Sequence, residues 1–151
     1  MRLNTKIQNL SLEFICLLYI LLFVYAAFSK LFDFENFLVQ LGQSPFLSAY
    51  ARWSAYGVPF LEIIIAILLM VQKFRLIGLF ASYTLMVLFT AYICILLNYS
   101  AFVPCSCGGV IQKLSWSQHI IFNCCFIALA GIAILLLPEN STFNNPQIAK
   151  S

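Results

Sequence analysis

Cys105 and Cys107 are separated by a single serine and followed by Gly108 and Gly109. Two thiols at this spacing can close into a small disulfide ring or hold a soft metal. Pro104 and the glycine pair are turn residues, so the thiols are expected in a loop with their sulfurs approachable. A ring closed over one residue is strained, which favours the dithiol and makes the disulfide a better oxidant. A helical turn beginning near Val110 would also aim amide N–H groups at Cys107 and favour its thiolate.

Three uses of the pair stay open on the residues alone: disulfide exchange, a structural disulfide or idle thiols, and a soft-metal site recruiting His119. A closed zinc site needs four ligands, and no exposed fourth stands out in the sequence, so no metal is expected and exchange is preferred. His119 is then an interfacial polar residue. The other cysteines, Cys16, Cys94, Cys124 and Cys125, lie inside apolar runs, where cysteine behaves as a small hydrophobe.

Glu62 is the second residue that could do chemistry. It sits inside the apolar run Phe60–Val71, where a carboxylate costs several kcal/mol unless it is neutralised, hydrated or paired. Ala55, Pro59, Glu62 and Ala66 share a helix face, and small neighbours favour close helix packing. Glu62 could exchange a proton beneath the thiol loop, pair with Lys30 at the end of the preceding apolar run, or hydrogen-bond Asn123.

The elements that must position these groups follow from composition. The chain has 151 residues, 63% hydrophobic and 9% charged, with a mean hydropathy of +0.97. A soluble domain is roughly 45–50% apolar and roughly 25% charged. Lipid must therefore replace water around most of this protein. The net charge of +3 comes from basic residues standing singly at the ends of apolar runs, which argues against nucleic-acid binding.

A helix of about 20 residues spans the hydrocarbon layer, and four runs are long enough. The expected spans are Glu13–Ser29, a second ending near Val71, a third over about Leu76–Asn98, and a fourth ending at Leu137. Residues 1–12 read as a polar N-terminal segment, 13–137 as the membrane domain and 138–151 as a polar tail. The first run is long for a signal peptide and is read as a retained span. Leu31, Phe34, Phe37, Leu38 and Leu41 recur at helical spacing opposite Asp33, Glu35, Asn36 and Gln40, which predicts an interfacial helix stopped by Gly42. Ser44 followed by Pro45 reads as a helix N-cap and first turn, and Ser115 with Gln118 as a capping box. The class is an all-α polytopic membrane protein, a four-helix bundle.

Four spans place both termini on one side. Arg2, Lys6, Lys73, Arg75 and Lys150 lie on that side, against Lys30, Arg52 and Lys113 on the other. The positive-inside rule then predicts cytoplasmic termini. Cys105 and Cys107 would face the outer, oxidising space, where disulfides persist.

Several of these pieces together resemble the MauE/DoxX-type membrane proteins, specifically the methylamine-utilisation MauE branch. They are Ser29 and Lys30, the run Pro59 to Glu62, the run Pro104 to Gly109, the run Leu114 to Trp116, and Asn123. The resemblance spans the first to the fourth apolar run, and its discriminating motif is the Cys-x-Cys pair. The family usually carries Cys-Gly-Cys-Phe-Gly; here Ser106 and Gly108 replace two of those residues.

The resemblance implies a bacterial inner-membrane accessory protein. That family is associated with maturation of the disulfide-rich small subunit of methylamine dehydrogenase, alongside a thioredoxin-like partner. No residue points to methylamine itself. The expectation is an outward-facing Cys105/Cys107 pair that exchanges disulfides with a periplasmic thioredoxin-like protein, supported by Glu62, Lys30, Gly108, Gly109, His119 and Asn123. A membrane quinone is the candidate second electron partner, with Tyr56, Phe60, Phe89 and Tyr92 as candidate lining. The rival from another class is a non-enzymatic scaffold subunit of a membrane complex.

Overall fold

A computed structural model describes residues 2–44, 47–99 and 116–137. Helix α1 spans Arg2–Phe32, α2 Phe34–Gln43, α3 Ala51–Met70, α4 Arg75–Tyr99 and α5 Trp116–Leu136. Short 3-10 turns, Ser48–Tyr50 and Gln72–Phe74, precede α3 and α4. Among the described residues, four helices are long and apolar enough to cross a membrane, in Lys6–Phe32, Ser48–Met70, Gln72–Asn98 and Ser117–Leu136. Hydrocarbon offers no partner for a free N–H or C=O, so apolar runs of this length satisfy their backbone internally as helices. Polar side chains within α4 follow the same rule: Ser82, Thr84 and Thr90 each donate to the carbonyl one turn back.

α1 differs from its expected bounds. Its 31 residues rise about 46 Å at 1.5 Å each, against about 30 Å of hydrocarbon. The helix runs on through the polar start, so residues 2–12 are in one helix with the span. Lys30 lies in its last turn, where a cation complements the helix dipole. Asp33 breaks the helix for one residue, and its carboxylate accepts from Asn36 Nδ2 at 2.7 Å.

α2 is the amphipathic helix the spacing predicts. Leu41 is buried against Ala51 and Ala55 of α3, with Phe34, Phe37 and Leu38 packed around them. Leu31 does not join that face; it belongs to α1 and is exposed. Ser44, expected as an N-cap, accepts at its carbonyl from the Ser48 N–H at 3.0 Å and also serves the preceding helix. It caps the C-terminus of α2, its N–H donating to the Leu41 carbonyl, and its buried hydroxyl accepts from the Tyr92 hydroxyl at 2.9 Å. A tertiary partner has claimed the side chain that local sequence assigned to capping. Pro45 and Ser115 lie outside the described residues.

The four long helices form a ring. α1 packs on α3, α3 on α4, α4 on α5 and α5 back on α1, while the diagonal pairs meet marginally at most. Successive spans are neighbours in the ring, so this is an up-down-up-down bundle. Half of it is filled. Leu12, Ile15, Cys16 and Tyr19 of α1 pack with Ile65, Ala66 and Leu69 of α3, Leu79 of α4, and Ala130 and Ala133 of α5. The expected interior face of α3 is confirmed, since Ala55, Pro59, Glu62 and Ala66 are all buried. Around the outside, Phe14, Leu17, Leu21, Ile67, Ile77 and Leu135 are exposed, as lipid-facing side chains should be.

Candidate functional site

Where α1 ends, α3 begins, α4 ends and α5 begins, the bundle is not filled. A cavity of about 340 Å³ lies there, lined by all four spans and by α2. Most of its wall is apolar, including Phe23, Phe37, Phe89 and Phe122. Set into that wall are Lys30, Glu62, His119 and Asn123, all four of them buried.

Each polar residue reaches the cavity by helical register. Ser54, Val58 and Glu62 recur every fourth position along α3, and His119 and Asn123 are one turn apart on α5. Lys30 comes from the last turn of α1. Its Nζ meets Glu62 Oε1 at 2.6 Å and lies 5.6 Å from the centroid of the Phe89 ring, within cation–π range. Of the partners open to Glu62 on the sequence, the structure selects Lys30. Asn123 is not bonded to it: Asn123 Nδ2 and Glu62 Oε2 are both buried and without a hydrogen-bond partner. One oxygen of the carboxylate is thus committed to Lys30, while an acceptor and a donor in the same wall stay unsatisfied.

The ion pair joins α1 to α3, and both charges are far from water, with side-chain exposures of 11% for Lys30 and 0% for Glu62. An unpaired carboxylate at this depth would be costly; the paired one keeps the cavity wall electrically neutral.

The aromatic residues divide. Phe89 and Tyr92 line the cavity, but Tyr56 and Phe60 do not. They are 60% and 67% exposed, because they sit about 100° around α3 from the buried Pro59 and Ala55. Tyr56 instead packs on Phe34 of α2, ring centroids 4.6 Å apart. Phe122 and Ser54 contribute to the wall and were not singled out on the sequence. The one-turn spacing of Ser54, Val58 and Glu62 was the signal available for Ser54.

Cys105, Cys107, Gly108 and Gly109 lie outside the described residues. The chain leaves the described bundle after Tyr99 and re-enters at Trp116, and His119 is in the first turn beyond that point. The segment carrying the thiols therefore joins the bundle at the end where the cavity lies. The Lys73–Arg75 turn is at the opposite end, between α3 and α4.

Neither among curated proteins nor among solved structures does any match the chain. The family described as Methylamine utilisation protein MauE matches residues 8–136, which take in the first span from Gln8 on, the other three whole, the Cys-x-Cys segment and every residue of the polar cluster. The chain belongs to this family of membrane proteins.

Proposed function

We propose that this protein is a disulfide donor of the bacterial inner membrane, working through Cys105 and Cys107 on a thioredoxin-like protein of the periplasm. A thiolate of the partner attacks one sulfur of the Cys105–Cys107 disulfide and forms a mixed disulfide. The partner's second thiolate resolves it, so the partner leaves oxidised and Cys105 and Cys107 remain as a dithiol. Two electrons and two protons have then entered this protein and must leave it. The termini are cytoplasmic, as the distribution of lysine and arginine favours, which puts the thiols in the compartment where disulfides persist.

The observation that carries this reading is the position of the Cys-x-Cys pair within a MauE-family chain. It connects the third and fourth spans at the end of the bundle where Lys30, Glu62, His119 and Asn123 gather around a cavity. A scaffold subunit would need neither two thiols one residue apart nor a cluster of buried polar groups.

The test is trapping in intact cells with a membrane-impermeant alkylating reagent, before and after reduction. Cys105 and Cys107 should label only after a reductant is added, and a Cys107→Ser variant should accumulate a mixed disulfide with a periplasmic protein. Labelling that requires the membrane to be opened would invert the orientation. If Cys105→Ser with Cys107→Ser left both the redox state of periplasmic partners and the yield of any associated complex unchanged, the protein would be a scaffold instead.

A further inference from the structure

We infer that the cavity between the four spans binds the ring of a membrane-soluble quinone, which removes the electron pair left on Cys105 and Cys107. The inference deepens the exchange reading and rests on it for the electron source, though the binding site stands on its own geometry.

Several features of the cavity select the ligand. Its volume of about 340 Å³ falls at the lower end of the about 300–1,000 Å³ usual for small-molecule sites, enough for a single substituted ring. The rings of Phe23, Phe89 and Phe122 in the wall suit a flat, neutral, aromatic-like body. Tyr25 and Leu88 belong to the wall and are themselves exposed on the outer surface of the bundle. Part of the site is therefore one side chain from the lipid in which an isoprenoid tail would lie.

The polar groups narrow the choice. Asn123 Nδ2 is a donor and Glu62 Oε2 an acceptor, each buried without a partner at residues 3% and 0% exposed. Leaving such groups unpaired costs about 1–3 kcal/mol each, more for a charged one. A lipid tail would satisfy neither. An anionic headgroup would set its charge beside a carboxylate whose one counter-ion, Lys30, is already engaged. Water could reach the polar atoms but not fill the apolar remainder of the wall. A quinone carbonyl accepts from Asn123, and the hydroxyl it becomes on reduction donates to Glu62. One ligand in its two redox states thus answers both orphaned atoms.

The step balances. Two S–H bonds break at Cys105 and Cys107 and one S–S bond forms. Two electrons and two protons pass to the quinone, whose two carbonyls become hydroxyls.

The test is photolabelling of the purified full-length protein in detergent with an azido-substituted short-tailed ubiquinone, alongside equilibrium binding of the unsubstituted quinone. Saturable label is expected on peptides containing Phe89–Ile93 of α4 or His119–Asn123 of α5, competed by unlabelled quinone. Asn123→Leu should weaken binding about tenfold, the loss of one hydrogen bond in a dry site. The same substitution should hold or raise the thermal stability of the ligand-free protein, since it removes an unpaired buried donor. That keeps a folding defect from being mistaken for a binding defect.

Cys105→Ser with Cys107→Ser should leave quinone binding as it was. Absence of saturable labelling in the wild-type protein, label confined to residues outside the cavity wall, or unchanged affinity in Asn123→Leu would overturn the assignment. Quinone binding in a protein whose thiols never cycle would sink the exchange reading and keep the site. Cycling thiols with no quinone bound would do the reverse.

Discussion

Lys30 and Glu62 stand 32 positions apart in the chain and meet at 2.6 Å in the interior of the bundle. The contact fastens the last turn of α1 to the middle of α3 and forms part of the cavity wall. Its consequence for stability lies less in the attraction than in what happens when one partner is lost. A buried charge without its counter-ion costs about 3–5 kcal/mol, whereas exchanging both charges for apolar groups of similar size is often neutral or better.

Lys30→Met and Glu62→Leu should each lower stability by about that 3–5 kcal/mol, and the double substitution should recover most of the loss. Unfolding of the four proteins in one detergent measures the coupling. Additive losses in the double variant would show that the pair is not the energetic unit described here.

Tyr19 is wholly buried and its hydroxyl donates to the Phe126 carbonyl, tying α1 to α5. Its ring also meets Phe126 edge-on, with centroids 5.2 Å apart. Tyr19→Phe keeps the ring and should cost about 0.5–1.5 kcal/mol. Tyr19→Ala removes both and should cost about 3–5 kcal/mol. Thermal unfolding separates the two, and equal losses would mean the hydroxyl, not the packing, holds this helix pair.

The Tyr92 hydroxyl reaches Ser44 at the end of α2, 48 positions away. Ser44→Ala should loosen the interfacial helix locally and leave the rest of the bundle intact. Hydrogen exchange should quicken across Phe34–Gln43 with little change in α5. Uniform quickening would show that α2 opens only with the whole protein.

These contacts mark where sequence reasoning succeeds and where it stops. The spans were legible because lipid makes the backbone argument almost independent of neighbours: an apolar run of sufficient length has to be a helix. The buried face Ala55, Pro59, Glu62 and Ala66 was legible from spacing; the same spacing puts Tyr56 and Phe60 off that face, against their expectation as lining of a quinone site. Ser44 was not legible. A serine before a proline has a good local explanation, and nothing nearby announces a tyrosine arriving from α4. The cavity was least legible of all, because an unfilled volume depends on where side chains of five helices stop short. Lys30, Glu62, His119 and Asn123 could be suspected singly from their chemistry in apolar surroundings; that they share one wall is a property of the packed bundle.

A close approach of α4 to α3 at Gly78 supplies a further prediction. A Cβ placed on Gly78 would lie 3.0 Å from Leu69 Cδ2 and 3.1 Å from the Leu69 backbone nitrogen. A flexible leucine tip can move, but a helix backbone atom can move only with its helix. Gly78→Ala should therefore cost about 1–3 kcal/mol, the range for overpacking, although alanine is the better helix former. Adding Leu69→Ala should not restore stability, because the backbone contact remains and Leu69, wholly buried, would leave a void. Comparing the unfolding temperatures of Gly78→Ala, Leu69→Ala and the double variant decides the point. A Gly78→Ala protein as stable as the parent would show that α3 and α4 can part by a few tenths of an ångström without loss, and that their close contact is not what closes this end of the bundle.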